Sequence, residues 1–188
     1  LSGDGGDELF GGYTRYLWSQ RIWKTIQKTP RGLRYLISKG VLSIPPDWLQ
    51  FAYDGLVPVV PRGLRQNNFA DKAHKLAGLL TAPSLEKIYQ HTLQHWPRDP
   101  SPVLAVEKGD LRRYLDAYCP PVGSTEDMLR ADMATYLPDD ILTKVDRASM
   151  AVSLEIRVPL LDHALVKFAQ RLPIELKIMG SKGKWPLR

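Results

Sequence analysis

The sequence predicts a mostly α-helical chain, and three features carry that expectation. Apolar residues recur at three- and four-residue spacing in one stretch after another, the period of a helix face. Prolines and glycines punctuate these stretches. No convincing series of alternating apolar and polar runs marks out strands.

The elements follow in order. Residues 2–12 hold five glycines among three carboxylates and read as a tight loop entering a helix, with Asp7 and Glu8 at its start, where the dipole favours negative groups. A helix is expected over 13–27, with Tyr16, Ile22, Trp23 and Ile26 on one face, until Pro30-Arg31-Gly32 breaks it. A second runs over 33–42, and Pro45-Pro46 marks a stop and restart. After a break at 58–62, residues 64–80 show helical spacing at Phe69, Ala73, Leu76, Ala77 and Leu80. Ser84 is a natural N-cap for 85–95, whose apolar positions are Leu85, Ile88, Tyr89 and Leu93. A loop at 96–102 and a helix over 110–118 come next. Thr125 is expected to cap a helix reaching Leu137, and Pro138 is acceptable in the first turn of another over 139–152. Residues 154–158 suit an extended segment, and 161–172 a final helix.

Composition bounds the function. With 188 residues, 44% of them hydrophobic and 24% charged, the chain has the balance of one soluble globular domain. No stretch approaches the length of a membrane span, and no signal segment opens the chain. Cys119 is the one cysteine, which forbids an internal disulfide and suits a reducing cytoplasm. The net charge of +6 is scattered rather than gathered in a stripe, which argues against a nucleic-acid face and suits an enzyme that handles a triphosphate. His91 and His95 share a helical spacing, but Thr92 stands where the zinc-protease pattern needs Glu, so no metal site is expected there.

The opening loop carries the chemistry. Glycines such as Gly3 and Gly5 let backbone N–H groups approach a phosphate, and a helix start adds partial positive charge. Carboxylates would repel the phosphate unless a divalent cation lay between, and Mg²⁺ favours one or two carboxylates plus phosphate oxygens. Asp4 and Asp7 are therefore the candidates for metal-nucleotide chemistry, against a plain reading as a solvated turn. The spacing fits neither a calcium-binding EF-hand loop nor a Walker loop.

Three blocks now point to a family. SGDGGDELFGGY (from Ser2), LPDDILTKVDRASMAVSLEIRVPLLDH (Leu137 to His163) and the stretch from Leu176 to Arg188 resemble, in order, motifs of the glutamine-hydrolysing asparagine synthetases. The resemblance spans the chain. It implies part of a C-terminal synthetase domain with the α/β adenine-nucleotide α-hydrolase-like fold of PP-loop ATP pyrophosphatases, truncated at both ends. Its implied cofactors are ATP and Mg²⁺. Aspartate, or a similar carboxylate substrate, would be activated as an acyl-adenylate. Ammonia channelled from a glutaminase domain would then attack it, giving asparagine, AMP and pyrophosphate.

Residue by residue, the resemblance implies that Ser2 and Gly3 contact ATP through the backbone, that Asp4 serves adenylate formation, and that Asp7 is the Mg²⁺ and pyrophosphate carboxylate. Asp139 or Asp140 would help deprotonate the attacking nitrogen, Asp140 being carried as the candidate; the plain alternative is dipole complementation at a helix start. Asp146 and Arg147, as sequence neighbours, are not expected to pair with each other, but to pair with other elements. Arg157 is placed either at the edge of the nucleotide cleft or in a buried ion pair with Glu155 bracing Asp146-Arg147.

The family's first pyrophosphate loop, its glutaminase domain and its transition-state lysine are expected outside these residues, so Lys182 and Lys184 do not inherit that lysine's role, nor Cys119 that of the glutaminase nucleophile. Trp185-Pro186 departs from the family pattern and puts a helix there in doubt. Other readings are a β-lactam-synthetase-like ligase, an amidotransferase, or a non-catalytic helical interaction module. An oligomer is compatible with all of them. These 188 residues alone are expected to give no aspartate-dependent pyrophosphate release.

Overall fold

The computed structural model describes residues 1–58, 61, 65–93 and 121–188. The expected loop at 96–102, the helix over 110–118, His95 and Cys119 lie outside the described residues. Among the described residues the chain is helical. The one β-type pairing there is an antiparallel bridge between Met179 and Lys182. No helix among them is long and apolar enough to cross a membrane.

Helix α1 is Gly6–Phe10, α2 is Thr14–Lys28, α3 is Arg31–Leu42, α4 is Pro46–Leu56, α5 is Phe69–Leu80 and α6 is Leu85–Leu93. Helix α7 is Thr125–Ala134; a π-helical turn, Leu137–Leu142, leads into α8, Thr143–Met150. A 3₁₀ turn, Pro159–Leu161, precedes α9, His163–Arg171, and α10, Ile174–Lys177, and a last 3₁₀ turn covers Trp185–Leu187.

Several expectations shift by a residue or a turn. Ser124, not Thr125, caps α7: its hydroxyl accepts from the Asp127 N–H while the Asp127 carboxylate accepts from the Ser124 N–H, a reciprocal capping box. That helix stops at Ala134 rather than Leu137. Pro138 has no N–H to continue the ladder, and the backbone widens into the π turn, where the Thr143 hydroxyl reaches back five residues to the Pro138 carbonyl at 2.9 Å. Residues 154–158 find no strand partner. On α5 the buried residues are Ala70, Ala77 and Leu79, while Leu76 is exposed, so the inner face is rotated from the one expected.

The core forms around α2. Tyr16 packs with Leu85 and Tyr89 of α6 and with Met128, Leu129 and Ala131 of α7. Further along α2, Ile26 meets Ile88 and Leu79, with Ile22 and Trp23 beside them, as their helical spacing predicts. Helices α3 and α4 both lie against α5, where Tyr53 stacks on Phe69 with ring centroids 4.2 Å apart.

A five-residue helix has no stability of its own in water. Helix α1 is held by burial of Leu9 and Phe10 against Ala169 and its neighbours Leu165, Val166 and Met133. Burial of each such side chain is worth roughly 1.5–3 kcal/mol.

A polar centre joins α2, α6 and α7. Asp132 has no exposed surface. It accepts two hydrogen bonds from the Arg15 guanidinium, at 2.6 and 3.2 Å, and one each from the hydroxyls of Tyr16 and Tyr89. The Arg15 guanidinium also lies over the rings of Tyr13, at 4.1 Å, and Tyr136, at 4.6 Å.

Replacing Asp132 by Ala would leave Arg15 and two tyrosine hydroxyls facing an apolar centre. The expected loss is about 3–5 kcal/mol, seen as a lower denaturation midpoint of the full-length protein. Gly183→Ala should also destabilise, by about 1–3 kcal/mol, because a Cβ there would fall 1.9 Å from the Gly11 carbonyl oxygen.

Candidate functional site

The opening loop is built to be held from two sides. Gly5 sits at φ +83°, a left-handed conformation open to glycine, and turns the chain into α1. A Cβ on Gly5 would lie 2.4 Å from a methyl of Leu161, and one on Gly6 would lie 3.0 Å from a methyl of Leu160. These two buried glycines therefore admit the leucines of the Pro159–Leu161 turn. Gly3 is exposed and has nothing within 4 Å of a Cβ position, so it is the glycine of the motif with open space around it.

The second block joins the loop through the backbone. The Ser2 N–H donates to the Arg157 carbonyl at 2.9 Å. Within the loop, the Ser2 hydroxyl donates to the Asp4 carboxylate.

The third block closes the other side. Met179 and Lys182 pair across a tight turn in which Gly180 takes φ +64°. The following Gly183 lies against the backbone of Gly11 and Gly12. Lys184 then does two things. Its N–H donates to the Phe10 carbonyl at 2.8 Å, satisfying one of the orphan acceptors at the end of α1. Its ammonium nitrogen lies 2.8 Å from Asp7 Oδ2, each side chain about one-third exposed. A Cβ on Gly12 would collide with both Asp7 and Lys184, so glycine there makes room for the pair.

Below Asp7, Glu8 points the other way and is buried. Its Oε1 accepts from the Tyr13 hydroxyl at 2.7 Å, whereas Oε2 has no hydrogen-bond partner among the described residues. Burial raises the Glu8 pKa; the Tyr13 bond offsets this in part, and the neighbouring Asp7 and Asp132 charges add to the rise. Burial likewise raises the Tyr13 pKa, with the Glu8 bond second, so Tyr13 stays a donor. Lys177 is buried nearby, and burial lowers its pKa while Glu126 opposes the shift.

The remaining candidates are placed as follows. Asp140 lies in the π turn and pairs with Lys144 at 2.6 Å, one turn on, rather than with the loop. That exposed pair is a surface interaction of little energetic weight. Asp139 donates its backbone N–H to the Thr135 carbonyl. Arg157 has an exposed guanidinium paired with Glu155 at 2.7 Å, so the expected buried brace is an exposed pair instead. The alternation does put Glu155 and Arg157 together, with Ile156 and Val158 half-buried. Asp146 and Arg147, expected not to pair, do approach to 3.7 Å: the long guanidinium stem folds back over an exposed helix surface, a loose contact.

Sequence reasoning missed three groups. Lys184 was legible only as part of a basic cluster, Glu8 only as a dipole partner, and Lys177 not at all. The one usable signal was the glycines Gly11-Gly12 and Gly183, which mark a close backbone approach. Among the described residues no group of three His, Cys, Asp or Glu side chains could hold a metal, so a protein-only metal cage is absent there.

Comparison with known proteins agrees with the three motif blocks. The family model described as asparagine synthase matches residues 1–188. The chain is 30% identical to asparagine synthetase [glutamine-hydrolyzing] 1 of Bacillus subtilis over 191 residues, covering all of this chain and 27% of that protein. A putative asparagine synthetase [glutamine-hydrolyzing] of Mycobacterium bovis is 30% identical over 198 residues, covering all of the chain and 26% of that protein. Asparagine synthetase [glutamine-hydrolyzing] 3 of Bacillus subtilis is 43% identical over 49 residues, 26% of the chain and 8% of that protein. The chain thus spans about a quarter of the length of the first two relatives. No solved structure matches it significantly. With a family model matching from end to end, the chain belongs to the asparagine synthase family.

Proposed function

We propose that this chain forms one wall of the nucleotide site in an ATP-dependent, amide-forming ligase, within a PP-loop α/β domain. The observation that carries the reading is the Asp7–Lys184 pair, at 2.8 Å, on a loop that the second and third blocks both hold. The names of the relatives support aspartate as the acid and glutamine as the source of ammonia.

The donors fit one magnesium carboxylate. Asp7 is only one-third exposed, and its oxygens already face a cation. Mg²⁺ accepts one or two carboxylates and takes its other ligands from phosphates and water. Asp7 would hold the ion, which when bound neutralises charge on the departing pyrophosphate.

This chain's own residues do the rest of the work assigned to them. Lys184 holds the Asp7 carboxylate through their ion pair. With Mg²⁺ on that carboxylate, Lys184 would be free to face a phosphate oxygen, where a fixed cation stabilises charge. The exposed backbone at Gly3, beside half-buried Ser2, lies against the nucleotide. Asp4, oriented by the Ser2 hydroxyl, faces the activated carboxyl group. Asp140, on the π turn, takes a proton from the attacking nitrogen after release from Lys144. Arg157 lies at the rim of the cleft. The reaction joins ammonia to an aspartyl-adenylate and releases AMP, in a cytoplasmic setting.

In the full-length protein, Asp7→Asn should weaken Mg-ATP binding by calorimetry and lower aspartate-dependent pyrophosphate exchange by roughly a hundredfold. Unchanged binding and exchange would overturn the metal assignment. Lys184→Met should leave the free protein folded and raise the ATP requirement for half-maximal exchange; an unchanged requirement would remove Lys184 from the phosphate site.

A further inference from the structure

A cavity of about 30 Å³ lies against α1, lined by Glu8 and Leu9 but not by Asp7. Its polar lining is Glu8, Glu126, Arg130, Gln170 and Lys177, over an apolar floor. Two facts make it more than a packing gap. Glu8, which lines this space, is 1% exposed, and its Oε2 has no hydrogen-bond partner among the described residues. Lys177, from α10, is 6% exposed and forms no ion pair within 4.0 Å among the described residues. An unmet buried carboxyl oxygen is costly to leave without a partner. A cavity needs only about 10–15 Å³ and two to four polar partners to hold a water. The mixed signs of the lining suit a neutral molecule that both donates and accepts, rather than a free ion.

We infer that one internal water fills this cavity, donating to Glu8 Oε2 and accepting from Lys177, and that Glu8 is thereby a positioning residue for Asp7. The clamp ties α1 to α10 and to α7, which supplies Glu126 and Arg130. Tyr13 holds the other oxygen of the same carboxyl group. Glu8 follows Asp7 in the same turn of a five-residue helix, so fixing Glu8 on the inner side sets the angle at which Asp7 meets its cation on the outer side. Apolar burial of Leu9 and Phe10 holds the helix in place but not in rotation, and two directional bonds to Glu8 supply that restraint. The inference rests on the reading of Asp7 as the metal carboxylate.

The test uses the full-length protein and Mg-ATP binding by calorimetry, with circular dichroism as the check on folding. Glu8→Leu should weaken Mg-ATP binding at least tenfold, whereas Glu8→Gln, which keeps the shape and both polar positions, should stay within about threefold of the native protein. Lys177→Met should resemble Glu8→Leu, and the double variant should be no worse than either alone. It also serves if Glu8→Leu does not fold. A high-resolution crystal structure should show an ordered water within hydrogen-bond distance of Glu8 Oε2 and Lys177 Nζ. An empty cavity, native binding in folded Glu8→Leu or in Lys177→Met, or equal losses in Glu8→Gln and Glu8→Leu would overturn the clamp. Asp7→Asn separates the two readings. If it leaves binding untouched, the metal reading falls and the clamp with it. If it abolishes binding while Glu8→Leu and Lys177→Met do not, only the clamp falls.

Discussion

Asp132 has no exposed surface, so its charge has to be met inside the protein. Arg15 and two tyrosine hydroxyls meet it, one tyrosine on α2 and the other on α6. Each of those groups is itself costly to bury without a partner. The arrangement therefore has a single geometry in which all are satisfied, and that geometry fixes how α2, α6 and α7 cross. Arg15 extends the restraint outward: lying over the rings of both Tyr13 and Tyr136, it links the start of α2 to the residues just after α7. Burial works against the Arg15 charge, yet the Asp132 charge and hydrogen bond outweigh it and hold its pKa above the ordinary value.

The glycine loop inherits its position from this centre. Tyr13 lies at the N-cap of α2 and reaches forward to Glu8, so the packed helices hold α1 through a hydrogen bond as well as through Leu9 and Phe10. Two later segments then press on the loop where glycines leave room for them. The motif's glycines divide between two tasks. Gly5, Gly6, Gly11 and Gly12 serve contacts within the protein, and Gly3 remains open. Helix α1, with five residues, is too short for its dipole to dominate the electrostatics of the loop.

Much of the helical order was legible because capping and periodicity are local. Ser84 caps α6 through the Lys87 N–H, Asp162 caps α9, and the apolar face of α2 is the one its spacing predicts. Errors arose where two local signals competed. Ser124 and Thr125 are both good caps, and the reciprocal bond with Asp127 chose the former. Pro138 is tolerated at a helix start, but the lost donor widened the turn that followed. The site was less legible. Which carboxylate meets which cation depends on contacts between residues far apart in sequence, and no local pattern reports that Lys184 faces Asp7 or that Asp132 gathers Arg15. Burial of Glu8 was hidden for a related reason: an acidic residue in the first turn of a helix has an ordinary surface role, and only the packing of α7 and α9 against α1 removes that role.

The Lys184 contact also has a consequence for the order of events during synthesis. Asp7 leaves the ribosome early in this stretch, whereas its cationic partner and the backbone donor that ends α1 lie roughly 180 residues later, a separation that slows closure of native contacts. At about 5–20 residues per second, translation leaves the loop without that wall for roughly 10 to 35 s. During that interval the carboxylates of the opening loop face solvent with no protein cation beside Asp7. A nascent chain bearing this loop thus lacks the Asp7–Lys184 pair until the third block arrives, and premature termination upstream of Lys184 would yield a product lacking both the charge and the cap.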